Sequence, residues 1–184
     1  MIHRAVFLDL NGTLVMPVQV EAPTEHTLIP GAIEALRLLN QARFICPIIT
    51  VQTRIEKRVF TEAAFRDWFA TLEQTFRQEG VKIHGLYVCP HRSNAGCICR
   101  KPQPTLYLKA AEDLDIDCSA SYVVGDTSDD ILAGKAIGAK PCFVRTGWAY
   151  QTIDEYGHLA DFIGDDILEV ARWIVNDSFP RMIR

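Results

Sequence analysis

The sequence predicts an α/β fold: a three-layer, Rossmann-like parallel sheet with helices on both faces, a small zinc-binding loop and no large cap domain. Short apolar runs alternate with stretches of helical period along the whole chain, as βαβ units require. There is no internal repeat and no linker-like stretch. Asp9, Thr50 and Asp126, all able to carry chemistry, fall at predicted strand ends, where open parallel sheets bind ligands.

Ala5–Leu8 is an apolar run that ends in Asp9-Leu10-Asn11-Gly12, a strand entering a turn. Pro30-Gly31 opens a helix to about Asn40, with Ile33, Leu36, Leu38 and Leu39 as its apolar positions. Phe44–Ile49 reads as the second strand, followed by a basic loop with Arg54, Lys57 and Arg58. Thr61 is the expected N-cap of the next helix, since Phe60 and Phe65 flank it at hydrophobic-staple spacing. Phe65, Trp68, Phe69, Leu72 and Phe76 continue the helical period until Gly80 stops it. This aromatic stripe is read as core packing. Gly85–Val88 is a strand leading into a cysteine-rich loop. Pro104 suits the first turn of a helix to about Leu114. Tyr122–Gly125 is a strand, Ser128–Ile137 a helix closed by Gly138, and Pro141–Val144 another strand. Ala160–Ile163 is an edge strand and Asp165–Val175 the last helix.

The chain has 184 residues, which fits one domain over 1–184. Hydrophobic residues make up 48% and charged residues 23%, a composition that supports a packed core. A net charge of −4 and a pI of 5.7 give no reason to expect a nucleic-acid surface. No apolar run approaches a membrane span. The first residues lack a signal peptide's apolar stretch, so a cytoplasmic monomer with reduced thiols is expected. Cys46, Cys118 and Cys142 sit in or near apolar segments and are read as packing residues. His3, His26, His84 and His158 lack ligand-spaced partners and are expected on the surface or in loops.

Cys89, His91, Cys97 and Cys99 crowd into a short window over 89–101. Thiolates and an imidazole at this spacing can converge on one tetrahedral zinc ion, and four protein ligands make that site structural. Lys101, just past the last cysteine, is then positioned by the loop. Asp9 can attack phosphorus and form an aspartyl phosphate. Asp9 and Asp126 together suit Mg²⁺, which takes a few carboxylates plus phosphate oxygens. Lys101, the Thr50 hydroxyl and backbone N–H groups around Asn11–Gly12 can cradle phosphoryl oxygens. Arg54, Lys57 and Arg58 are either a solvated loop or a grip for a distal phosphate.

The ordered set Asp9-x-x-Gly12-Thr13, Thr50, Lys101-Pro102 and Gly125-Asp126-x-x-x-Asp130 resembles the haloacid dehalogenase superfamily of phosphatases. Within it, the chain is similar to the zinc-containing branch of D-glycero-D-manno-heptose 1,7-bisphosphate phosphatases and histidinol-phosphate phosphatases. The resemblance implies Asp9 as nucleophile, Thr50 and Lys101 as phosphate-handling residues, and Asp126 with Asp130 as the fourth motif. It places Asn11 where the family has its acid/base Asp, with the backbone carbonyl there as a metal ligand. Gln52, Thr53, Arg54, Lys57 and Arg100 are expected beside the substrate. Val144-Arg145-Thr146-Gly147 looks more like the heptose branch; the short gap from His91 to Cys97 looks more like the histidinol-phosphate branch. Two motifs depart from the pattern. Leu10 and Asn11 replace an Arg and an Asp, and Val51, Thr53 and Arg54 replace Asn, Ser and Gly. An amide cannot donate a proton to a leaving group. The expectation is therefore a Mg²⁺-dependent sugar-phosphate hydrolase slowed at Asn11. The alternatives are a histidinol-phosphate-type phosphatase, or a low-turnover phosphate-binding protein of the same fold.

Overall fold

Side-chain alternation along β1 (Val6–Leu8) sets the layering. Val6 and Leu8 join one hydrophobic cluster and Phe7 another, and all three are fully buried. A strand buried on both sides needs helices over both faces of its sheet.

The computed structural model describes residues 2–178. After β1 come a short antiparallel hairpin, β2 (Val15–Met16) and β3 (Thr27–Leu28), and then α1 (Ala32–Gln41). β4 (Ile48–Val51), α2 (Thr53–Glu56), α3 (Glu62–Gln78) and β5 (Leu86–Cys89) follow. The second half runs α4 (Thr105–Asp113), β6 (Tyr122–Gly125), α5 (Ser128–Ala136), β7 (Lys140–Val144), α6 (Ile153–Tyr156), β8 (Phe162–Gly164) and α7 (Ile167–Ser178). Among the described residues, six strands form one parallel sheet in the order β5-β4-β1-β6-β7-β8. Leu8 lies beside Ile48 and Val124, so the carboxyl ends of β1, β4 and β6 are neighbours. Leu36 and Leu39 of α1, Phe65 and Phe69 of α3 and Ile174 of α7 cover one face. Tyr107 and Ala110 of α4 and Ala133 of α5 cover the other.

α3 begins as the sequence predicts. The Thr61 hydroxyl accepts a hydrogen bond from the Ala64 N–H at 3.1 Å, and the Phe60 and Phe65 rings stack with centroids 6.5 Å apart. The second strand differs from the expected Phe44–Ile49. Ile45 makes an isolated bridge to Ala5, and the regular strand starts at Ile48 because Pro47 has no N–H to give. The β2–β3 hairpin, α2 and α6 are too short to show a period and were not expected.

His26 and His84 lie in loops, as expected, but both are withdrawn from solvent. His26 is buried. His84 is half-buried, and its Nδ1 accepts the Cys46 N–H at 2.9 Å. Burial, with the nearby positive charges of Lys82 and His3, pushes its pKa down to about 4, so it stays a neutral acceptor. Cys46 and Cys142 are buried as expected, while Cys118 is half-buried. No helix among the described residues is long and apolar enough to cross a membrane.

Phe65 is fully buried and touches Phe60, Trp68 and Phe69. Phe65→Ala should cost about 3–5 kcal/mol of stability, measured by denaturant unfolding. A loss under about 1 kcal/mol would mean that this stripe is not core.

Candidate active site

Three acidic side chains and one lysine meet where β1, β4 and β6 end. Asp9 leaves β1 and donates its N–H to the Val124 carbonyl at 2.9 Å, which holds the turn against β6. Asp126 follows Gly125, the last residue of β6, and Asp130 lies in the first turn of α5. Carboxylate oxygens of Asp9, Asp126 and Asp130 lie within 4.8 Å of one another. Lys101, from the connection between β5 and α4, places Nζ 2.6 Å from Asp9 Oδ1 and 2.6 Å from Asp130 Oδ1. The Tyr107 hydroxyl also donates to Asp130 Oδ1 at 3.3 Å, and the Thr127 hydroxyl to its Oδ2 at 2.8 Å. Both oxygens of Asp130 are thus engaged, and Asp130 holds Lys101 in place. Asp126 Oδ2 accepts the Trp148 N–H at 2.7 Å.

The carboxylates crowd because glycines leave room for them. A Cβ on Gly12 would lie 2.2 Å from Asp126 Oδ2, and one on Gly147 would lie 2.0 Å from it. Both glycines have positive φ, 89° and 60°, which only glycine adopts without strain. The Thr146 hydroxyl donates to the Gly12 carbonyl and ties the two turns together.

Electrostatics here call for a cation. Three carboxylates face one ammonium. Burial raises the Asp9 pKa to about 6; Lys101 pulls against this and Asp130 adds to it. Burial, with the charges of Asp9 and Asp130, raises Asp126 to about 8. Burial opposes charge on Lys101, but Asp130 and Asp9 outweigh it and hold the ammonium well above its ordinary value. A hard divalent cation on Asp9 and Asp126 would offset this surplus, and the donor set is all oxygen.

Asp9, Asn11, Thr50, Gln52, Thr53, Arg54, Lys57, Arg100, Lys101, Asp126 and Asp130 line one cavity of about 380 Å³. Arg58 does not line it. Asn11 is held on both sides. Its Oδ1 accepts from Gln52 Nε2 at 2.6 Å and from the Thr50 hydroxyl at 3.5 Å. Its Nδ2 donates to the Val18 carbonyl at 3.1 Å and sits 3.0 Å from His26 Nε2. His26 is therefore a buried partner of the site, its ring tilted against Trp68 with centroids 5.1 Å apart, and not a surface histidine. A lone His without spaced partners gave no sign of this. Tyr107 and the Trp148 N–H were also missed. Nothing marks a helical tyrosine or a backbone amide until the fold brings it to a carboxylate.

Cys89, His91, Cys97 and Cys99 form a second cluster, their ligand atoms within 4.8 Å of one another. Cys89 Sγ is 3.7 Å from Cys97 Sγ and 3.7 Å from His91 Nδ1, and His91 Nδ1 is 3.2 Å from Cys99 Sγ. A tetrahedron with bonds of about 2.3 Å has edges of about 3.8 Å, so the donor atoms and spacing fit zinc. The loop is tied down at both ends. The Thr105 hydroxyl donates to the Ile98 carbonyl at 2.6 Å, and the Arg92 N–H donates to the Glu56 carboxylate of α2.

A family described as HAD-hydrolase-like matches residues 98–170. The D-glycero-β-D-manno-heptose-1,7-bisphosphate 7-phosphatase of Pasteurella multocida is 34% identical, covering 93% of this chain and 96% of that one. Its counterpart in Escherichia coli O6:H1 is 36% identical over 96% of each chain. The chain belongs to this phosphatase family of HAD-like hydrolases. The solved D,D-heptose 1,7-bisphosphate phosphatase of B. bronchiseptica, complexed with magnesium and phosphate, superimposes with a TM-score of 0.87 at 26% identity. That match covers 95% of this chain and 99% of the other. The expected HAD-like α/β fold is borne out, as is the recognition of the heptose branch.

Asp9 and Asp126 bind protons more tightly in the folded chain than at the ordinary carboxylate value of 3.8. Their contribution to stability is full below the unfolded value and is lost as pH rises through about 6 and then about 8. A bound cation removes that loss. Added MgCl₂ should therefore raise the melting temperature more at about pH 8 than at about pH 5. A Mg²⁺ increment that does not grow with pH would count against cation binding at these carboxylates.

Proposed function

We propose that the chain is a Mg²⁺-dependent phosphomonoester hydrolase acting on a small sugar phosphate of the heptose-bisphosphate kind. The observation that carries this reading is Asp9 at the end of β1, paired with buried Lys101 at 2.6 Å and beside Asp126, in a member of this family. The relatives' substrate, a heptose bisphosphate, favours a heptose phosphate over histidinol phosphate.

The Asp9 carboxylate attacks phosphorus, and the bond from phosphorus to the sugar oxygen breaks. Water then attacks the aspartyl phosphate, releasing inorganic phosphate and restoring Asp9. Lys101 orients Asp9 and offsets charge on the phosphoryl oxygens, and the Thr50 hydroxyl donates to them. Asp9, Asp126 and the Asn11 backbone carbonyl would hold Mg²⁺, which supplies charge neutralisation for the incoming phosphate. Cys89, His91, Cys97 and Cys99 would hold a structural Zn²⁺ that fixes the 89–101 loop and so Lys101. All of this lies within one domain of one chain, which supports a monomer. Six unpaired cysteines support a reducing, cytoplasmic setting.

Asn11 shapes the rate. Its amide neither protonates the leaving oxygen nor activates water, which costs about 10²–10⁴ in rate. The second reading, a phosphate-ligand-binding protein with little turnover, draws support from the anchoring of that amide by Gln52 and Val18.

Phosphate release from D-glycero-β-D-manno-heptose 1,7-bisphosphate with Mg²⁺ tests the proposal. The chain should turn over slowly, Asn11→Asp should be faster by about 10²–10⁴, and Asp9→Ala should be inactive. No release by either the chain or Asn11→Asp would favour the binding reading; retained activity in Asp9→Ala would remove the aspartyl-phosphate step. With acetyl phosphate, whose leaving group needs no proton, Asp9 should accumulate one phosphoryl group visible by intact mass. A second measurement concerns zinc. Elemental analysis of protein purified without chelator should find about one zinc per chain, and stripping it should weaken phosphate binding through Lys101.

A further inference from the structure

We infer that Arg54 anchors a second, non-reacting phosphoryl group of the substrate, and that the Glu21 carboxylate holds that place until the substrate arrives. The inference rests on the sugar-phosphate reading above and deepens it.

Arg54 sits on α2, just beyond Thr50, and lines the same cavity as Asp9 and Lys101. Its fork is half used. Nη2 contacts Glu21 Oε1 at 3.0 Å, while Nε is buried without a hydrogen-bond partner. An unpaired buried donor is costly, and a guanidinium offers its donors in a rigid plane that matches two oxygens of one phosphoryl group. Glu21 satisfies one edge and leaves the other.

The Glu21–Arg54 pair is built to be displaced. The Glu21 side chain is 73% exposed against 23% for Arg54. Such a pair is worth little, because water competes for the exposed carboxylate. Glu21 is nonetheless delivered to one spot. Glu25 accepts the N–H groups of Glu21 and Ala22 and fixes the turn that carries it. That turn lies in the 17–26 connection of the β2–β3 hairpin, whose Val18 and Gln19 form a wall of the cavity. The pair thus joins two walls.

Charge in the cavity is uneven. Asp9, Asp126 and Asp130 occupy the sheet end, where an anion enters only with a cation and Lys101. Lys57 and Arg100 line the cavity with Arg54, and Asp129, which also lines it, feels the charge of Arg100. The Arg92–Glu56 contact at 3.6 Å binds α2 to the loop that carries Arg100. A sugar with one phosphoryl group at Asp9 would set a second one on this basic side.

The test uses the full chain with Asp9→Asn, which blocks turnover, in Mg²⁺. Calorimetry measures binding of D-glycero-β-D-manno-heptose 1,7-bisphosphate and of the 7-phosphate, which lacks the second phosphoryl group. Adding Arg54→Ala should reduce the ratio of the two affinities by about tenfold or more. Arg54→Lys should keep part of it, having charge without the fork. Glu21→Gln should tighten the bisphosphate by about two- to fivefold. The ratio cancels any general loss of folded protein. An unchanged ratio in Arg54→Ala, or a weaker bisphosphate in Glu21→Gln, overturns the inference while 7-phosphate binding leaves the sugar-phosphate reading standing. If the parent binds neither ligand, both fall.

Discussion

The buried Lys101 ammonium, bonded at 2.6 Å to both Asp9 and Asp130, is the interaction on which the rest of the site depends. Lys101 is 4% exposed and Asp130 1% exposed, so water compensates neither charge. Removing one partner from such a set leaves an unpaired buried charge and costs about 3–5 kcal/mol. The sheet order puts β1 beside β6, which brings Asp9 to the turn of Asp126 and the start of α5. Lys101 comes from outside these strands, just past a loop that brings four metal-type ligands together and that the Thr105 hydroxyl ties down.

Steric space is the second constraint. Two glycines at positive φ admit the Asp126 carboxylate between the β1 turn and the 144–148 segment, and any Cβ there would collide with it. The surplus of negative charge that results is suited to a divalent cation. The outer wall of α2 and the 89–101 loop carries Arg54 and Arg100 instead. Asn11 lies between these zones. Gln52 and Thr50 are donors on one side and the Val18 carbonyl is an acceptor on the other, so the surroundings match an amide as they stand.

Much of this was legible before folding. Apolar runs and helical periods place the strands of the sheet, because backbone hydrogen bonding and two-sided burial are periodic and local. The ordered motifs picked out Asp9, Thr50, Lys101, Asp126 and Asp130, and short-range spacing picked out the four zinc-type ligands. The second strand was drawn too early because an apolar run hides the effect of Pro47 on the ladder. Hairpin residues 17–26 left no trace, since two-residue strands have no period to read.

By itself the sequence determined the α/β class and pointed to the candidate phosphate-handling residues and the metal-type loop, since each motif is encoded in neighbours within a few positions. Only the tertiary structure decided that His26 backs Asn11, that Gly147 faces Gly12 across Asp126, and that Glu21 occupies Arg54. These pairs lie up to 135 residues apart or involve a backbone group, and no local pattern distinguishes such a residue from an ordinary loop position. Their meaning comes from burial, which makes an unmatched donor or a misplaced Cβ costly only once the chain has closed around it.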